Sequence, residues 1–168
     1  MSDVVGEFEA HGRFERTDGG SGADGDENGE TFAPTTNDWD ATVTVRDGAV
    51  DVVVVVPTLD AATHDEVADV VEDGWYDTFE RRVAGADSVT LADDVEVVGV
   101  SREGGDITVE LTMTPRSGKA ADDALALVNY VEGTWFQGVV PGYDYVEKVQ
   151  SMREQAAQNA QSTDGTPL

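Results

Sequence analysis

Apolar and polar residues alternate near the beginning of the chain. Over residues 6–16, charged residues lie between apolar or small positions, which are Phe8, Ala10, Gly12 and Phe14. A period of two residues is typical of a β-strand with one buried face. Residues 17–30 are rich in Gly and Asp and contain almost nothing apolar, so they predict a mobile loop.

A β-hairpin follows. The pair Asp47-Gly48 is a strong signal for a two-residue turn, and it places Arg46 opposite Ala49. Carried outward, this register puts one set of residues on the core side of the sheet: Trp39, Ala41, Val43, Val45, Val50, Val52, Val54 and Val56. The other side then carries Asp40, Thr42, Thr44, Asp51, Val53 and Val55. Pro57 ends the second strand.

Residues 63–83 have the spacing of a helix. Their apolar stripe consists of Val67, Val70, Val71, Trp75 and Phe79. Such a stripe predicts a face that packs on the core. Thr63 and Glu66 match a capping box, which predicts that the helix begins at Thr63.

The second half repeats this order of elements. Residues 93–115 predict another hairpin with a turn at residues 103–105 and an inward set of Ile107, Val109, Leu111 and Met113. Two registers fit this turn, so the orientation of residues 95–100 stays open. A helix follows, with Ser117 as its cap and a stripe of Ala124, Leu127, Val128, Val131 and Trp135. Residues 141–143 interrupt it, a last helix covers roughly residues 143–160, and residues 161–168 predict a disordered tail.

Two phrases in the chain are alike, VVEDGWYDTF at residues 70–79 and YVEGTWFQGV at residues 130–139. Aligning them pairs Glu72 with Glu132 and Trp75 with Trp135. The order of elements predicts an α+β fold, in which an antiparallel sheet of about five strands has helices on one face. Two ββα repeats explain this order, although shared hairpin and helix chemistry can produce part of the likeness by chance. We expect a single domain over residues 1–160.

Acidic residues outnumber basic ones along the whole chain. There are 35 Asp and Glu against 10 Lys and Arg, a formal net charge of −25. Repulsion of this size opposes folding at low salt, but at about 1 M salt the screening length falls to about 3 Å. This pattern is expected of a cytosolic protein of a salt-accumulating halophilic archaeon. It also excludes nucleic acid as an expected partner, because phosphate contacts need clustered Lys and Arg.

The residue types narrow the chemistry further. The absence of Cys excludes disulfides, thiolate zinc sites and cysteine nucleophiles. The two histidines, His11 and His64, lack metal-ligand spacing, and no serine lies in a nucleophile elbow. The longest apolar run, residues 52–56, is far shorter than the roughly 20 residues that cross a bilayer, and no signal peptide is evident. We therefore expect a cytoplasmic protein without a catalytic residue, metal site or cofactor.

Two candidate sites involve charged residues. Arg116 and Lys119 lie in a loop before a predicted helix, where backbone N–H groups can hold a small anion. The loop does not match a phosphate-binding motif of the Walker type, so an ordinary strand-to-helix connection is the alternative. Glu72 and Glu132 form a pair of matching carboxylates that can bind a cation or act in acid–base chemistry. In so acidic a chain, a solvated helix face explains them equally well.

Two further candidates are interaction surfaces. The open face of the sheet has an apolar centre at Val53 and Val55 and a polar rim that includes Thr44 and Arg46, which suits a homodimer or a protein partner. Other rim residues are His11, Arg13, Thr42, Thr108, Glu110 and Thr112. The segment 133–145 concentrates aromatic residues that can line a pocket or anchor a partner: Trp135, Phe136, Tyr143 and Tyr145. The alternative for this segment is core packing around a helix break.

The whole chain resembles the small, uncharacterised domain families restricted to halophilic archaea, in its composition and in the phrases VEDGWY and VEGTWF. This resemblance implies no known activity. The element order also resembles that of the type III secretion chaperone fold, a dimeric binding module, although a leading helix is not expected here. We therefore expect a non-enzymatic, cytosolic protein-interaction module that is dimeric. The alternatives are a regulatory domain or weak enzyme that binds a small anion at Arg116 and Lys119, and a purely structural role in salt adaptation.

Overall fold

The computed structural model describes residues 4–17, 30–35, 37, 39–140 and 142–164. The strands are β1 (Phe14–Arg16), β2 (Glu30–Pro34), β3 (Asp40–Arg46), β4 (Ala49–Pro57), β5 (Asp93–Glu103) and β6 (Asp106–Thr114). The α-helices are α1 (Val4–Ala10), α2 (Leu59–Ala62), α3 (Asp69–Val83), α4 (Ala120–Gln137) and α5 (Glu147–Asp164), and a 3-10 helix covers Ala86–Val89. No helix within these ranges has the length and hydropathy needed to cross a membrane.

The strands form one antiparallel sheet in the order β1-β2-β3-β4-β6-β5. The predicted α+β class with helices on one face is confirmed, with six strands where about five were expected. The additional strand is β2, which was not predicted from the sequence. It pairs with β3 and buries Phe32.

The predicted register of the β3–β4 hairpin is confirmed from the pair Arg46–Ala49 to the pair Asp40–Val55. Burial alternates along both strands because one face covers the core and the other does not. Trp39, which was expected opposite Val56, precedes β3 and packs against the rim of the core.

The β5–β6 hairpin turns at Gly104 and Gly105, whose positive φ angles of 60° and 98° favour glycine. The inward set of β6 is buried, as predicted. The orientation of β5, which the sequence left open, is set by pairing of Val97 with Leu111 and of Val100 with Val109, with one shift of the register between Val97 and Gly99.

The strand predicted over residues 6–16 is wrong for its first part, because residues 4–10 form helix α1 and only Phe14–Arg16 is a strand. The chain therefore has a leading helix. Phe8 is buried and lies 4.9 Å from the ring of Phe14 and 5.2 Å from the ring of Phe32. Val4, Val5 and Phe8 have the one-turn spacing that places them on one side of a helix, and this packing overrides the short alternating pattern.

The predicted start of the second helix is also wrong. Helix α3 begins at Asp69, and the hydroxyl of Thr63 donates to the carbonyl of Asp65 without capping the helix. Trp75 and Phe79 are buried as predicted, but Val70 and Val71 are exposed. The buried stripe of α3 continues to Val83, one turn beyond Phe79.

The predicted stripe of α4 is buried along the central strand β4. Lys119, in place of Ser117, occupies the cap position of α4, and its side chain makes no capping bond. Helix α5 buries Val149 and extends to Asp164, beyond the predicted end near residue 160. Residues 161–164, predicted as disordered tail, are therefore helical, and Glu30, predicted as loop, begins β2. Residues 18–29 and 165–168 lie outside the described residues, so the rest of the loop and of the tail stays a prediction.

Candidate interaction surfaces

Arg116 forms an ion pair with Asp123, which lies in the first turn of α4. Its Nε donates to Oδ2 of Asp123 at 2.9 Å and its Nη2 donates to Oδ1 at 2.7 Å. Burial acts to raise the pKa of Asp123, but the hydrogen bonds from Arg116 and Thr90 outweigh it and hold that pKa below its usual value. The guanidinium that was predicted to bind an anion thus already binds a carboxylate of the chain.

The N-terminus of α4 is also occupied by a carboxylate. Glu7 of α1 accepts the backbone N–H of Gly118 at 2.7 Å and that of Ala120 at 3.0 Å. Directly after the end of α1, Nε2 of His11 lies 2.9 Å from Oδ1 of Asp122. An external anion at Arg116 and Lys119 would therefore have to displace Glu7, and anion binding stays a prediction.

Glu72 and Glu132 line different depressions. Oε2 of Glu132, which is buried, accepts the backbone N–H of Trp39 at 2.8 Å. Glu72 accepts the backbone N–H of Asp60 at 3.0 Å and a hydrogen bond from Arg102 at 3.2 Å. Both carboxylates satisfy donors of the chain, and no cluster of metal-ligating side chains occurs among the described residues.

The open face of the sheet has the predicted arrangement at its centre. Val53 lies between Thr42 and Glu110, and Val55 lies between Asp40 and Thr108. Both valines are half-buried.

The rim beside these valines is paired within the chain. Arg46 donates two hydrogen bonds to Asp51, at 2.6 and 3.1 Å, and Thr112 donates to the same carboxylate at 2.9 Å. Thr44 lies opposite Asp51 in the register. Arg46, which was expected to meet a partner, therefore already bonds to Asp51.

The aromatic segment is divided between core and surface. Trp135 is 1% exposed, and its indole donates to the carbonyl of Pro57 at 2.7 Å. Tyr145 is buried with its hydroxyl bonded to the backbone of Val140. Phe136 and Tyr143 are half-buried against the core. Core packing around a helix break therefore accounts for Trp135 and Tyr145.

A groove that the sequence did not predict lies between α3 and the C-terminal end of α4. Its volume is about 390 Å³, and its lining includes Val70, Val71, Trp75, Phe79, Arg82 and Val140. Val70 is 78% exposed and Val71 is 37% exposed. The indole N–H of Trp75 donates to the carbonyl of Gly138 at 3.0 Å and closes the floor of the groove.

The two similar phrases of the sequence meet in this groove. Residues 70–79 supply most of the α3 wall, which continues to Arg82, and Thr134, Gln137 and Gly138 supply the α4 wall. The rings of Trp75 and Trp135 lie 6.3 Å apart, edge to face. The likeness of the two phrases was the one signal for the groove in the sequence, but this likeness suggested a common core and not a surface.

The groove also differs in charge from the rest of the chain. Its described lining contains Arg82 and no Asp or Glu, although the chain has 35 acidic residues. Several arginines elsewhere contact carboxylates: Arg16, Arg46, Arg81, Arg102 and Arg116. Arg82 forms no ion pair with any residue that the structure describes. The groove is thus an apolar patch with a positive end on an acidic protein.

Comparison with known proteins gives one finding. No curated protein and no solved structure matches the chain significantly. A family model described as "Family of unknown function (DUF5813)" matches residues 9–155, which include strands β1–β6 and helices α2–α4. The chain therefore belongs to the DUF5813 family, a family of unknown function.

Proposed function

We propose that this protein is a non-enzymatic protein-interaction module and that the groove between α3 and α4 is its binding surface. The observation that carries the proposal is Val70, 78% exposed at the mouth of an apolar groove. Full burial of a valine side chain stabilises a protein or complex by about 1.5 kcal/mol or more. A complex in which a partner covers Val70 and Val71 is stabilised by this burial, whereas in the isolated chain both side chains stay exposed.

The other surfaces support the proposal less well. The sheet face offers two half-buried valines with a paired rim, and the α4 N-terminus already holds Glu7. The groove combines exposed apolar residues, a concave shape and Arg82, which forms no ion pair with any described residue. Interfaces of weak or transient complexes use such patches, in which an apolar centre has a polar edge.

The acidic composition supports a setting in the salt-rich cytosol of a halophilic archaeon. With a net charge of −25, the folded chain repels itself at low salt. In that setting apolar contacts keep their strength, whereas exposed ion pairs are screened. An apolar groove is therefore better suited to binding there than a charged surface.

Capture of partners from a cell lysate in about 2 M KCl tests the proposal. The wild type is compared with Val70→Asp and with Val98→Asp, which changes another exposed valine that does not line the groove. We expect Val70→Asp to lose the captured proteins and Val98→Asp to retain them. Equal capture by all three proteins would reject the groove as the binding surface.

A further inference from the structure

The length of the groove fits a helix. Its α3 wall runs from Val70 to Arg82, twelve residue steps that rise about 18 Å at 1.5 Å each. The groove is lined in part by small residues, which are Gly74 and Thr78 of α3 and Thr134 of α4. A Cβ atom added at Gly74 would meet no atom within 4 Å. A second helix can therefore approach α3 closely, as helix packing at 8–10 Å between axes requires.

The backbone around the groove favours a helix over an extended segment. Both walls consist largely of α-helices, whose backbone groups bond within each helix. An extended peptide would find few backbone partners there and would leave its own N–H and C=O groups unpaired. An amphipathic helix satisfies its own backbone and needs only an apolar stripe.

The position of Arg82 indicates the charge and direction of that helix. Arg82 lies in the last turn of α3, where the helix dipole is negative. A partner helix that runs antiparallel to α3 places its N-terminus beside this turn, so that the two dipoles attract. Acidic residues are favoured in the first turn of a helix, and there they lie within reach of the Arg82 guanidinium.

We infer that the groove binds an amphipathic helix of another protein, antiparallel to α3, with an Asp or Glu in its first turn paired to Arg82. This inference rests on the proposed function. The apolar stripe of the partner supplies the affinity against Val70, Val71 and Trp75. Arg82 selects the direction and the charge of the bound helix, as charged groups at interfaces generally do. Because the bound helix covers this pair, salt screens it less than an exposed ion pair.

A photo-crosslinking experiment tests this inference. A benzoylphenylalanine replaces Gln137 in the full chain, since Gln137 is exposed and lines the groove on the side opposite α3. The same group at Val98 serves as the control position. Cross-linking is carried out in host lysate at about 2 M KCl, and the cross-linked peptides are sequenced.

We expect the cross-link from position 137 to reach a segment of another protein that has apolar residues three and four apart and an acidic first turn. Arg82→Glu should reduce the yield about fivefold or more, and Arg82→Lys should retain most of it. Arg13→Glu is the control, because it makes the same change in net charge at an exposed position outside α3. It should not change the cross-link yield. Circular dichroism checks that each variant is folded.

Other results would overturn the inference in distinguishable ways. A cross-link to an extended segment, or to a second copy of this chain, would reject the helix partner but keep the groove as an interaction surface. Equal yields from Arg82→Glu and the wild type would reject the acidic first turn. A cross-link to a lipid, or none above the control at position 98, would reject the inference and the proposed function together.

Discussion

The indole of Trp75 donates a hydrogen bond to the carbonyl of Gly138 across 63 positions of sequence, at 3.0 Å. This bond joins α3 to the end of α4 and shapes the floor of the groove. The two residues are also in close steric contact, since a Cβ atom on Gly138 would lie 3.0 Å from Nε1 of Trp75.

Gly138→Ala should therefore disturb the groove. The added methyl displaces the indole of Trp75, and we expect a loss of about 1–2 kcal/mol in the free energy of unfolding through the strained hydrogen bond. Near-UV circular dichroism and denaturant unfolding measure the change. Gly74→Ala is the matched control: its Cβ meets no neighbour, and it should stabilise the helix by about 0.5–1 kcal/mol. A Gly138→Ala protein with an unchanged Trp75 signal would contradict the described contact.

Glu7→Gln should destabilise the protein and should let an external anion bind the backbone N–H groups at the start of α4. The carboxylate accepts two backbone N–H groups at the start of α4, and losing its charge there costs about 1 kcal/mol. We expect thermal stabilisation by added sulfate to be larger in Glu7→Gln than in the wild type. Glu9→Gln, on the same helix, is the control. A wild type that responds to sulfate as strongly as the variant would favour the small-anion function.

Arg116→Gln should change how stability depends on pH. In the wild type the pKa of Asp123 is lowered, so its ionised form stabilises the fold above the ordinary pKa of about 4 and loses this effect as the pH falls. Without Arg116, burial disfavours the ionised form. The stability difference between the two proteins should be largest at neutral pH and should shrink below about pH 4, which denaturant unfolding can follow. A difference independent of pH would contradict the ion pair.

Val53→Asp tests the sheet face. Val53 lies on the open side of β4, between Thr42 and Glu110. Because the groove and not this face is proposed to bind the partner, we expect unchanged oligomeric state by light scattering and unchanged partner capture. Loss of a dimer in Val53→Asp, with the protein still folded, would move the interface to the sheet.

Much of the sheet followed from local sequence. The Asp47-Gly48 turn set the β3–β4 register, and the inward set of β6 followed from its alternation. Both features depend on residues close together in the chain, where turn chemistry and the two-residue period suffice.

The errors lay where distant contacts decide the local structure. Helix α1 forms because Phe8 packs between aromatic rings and because Glu7 reaches the start of α4, more than a hundred residues away. Phe8 and Phe14 both lie within residues 6–16, but the contacts with Phe32 and with the start of α4 cannot be seen in that segment alone. The occupant of the predicted anion site is also set by a distant residue, because Glu7 accepts the backbone N–H groups at the start of α4.

The candidate groove shows the same division. The sequence by itself determined that residues 70–79 and 130–139 form similar helices with tryptophans directed inward. Only the tertiary structure decided that Val70 and Val71 lie outside the core, because the start of α3 at Asp69 and the placement of α4 bury Trp75, Phe79 and Val83 instead. Helical periodicity gives the faces of a helix, but which face is covered depends on the neighbours that pack against it.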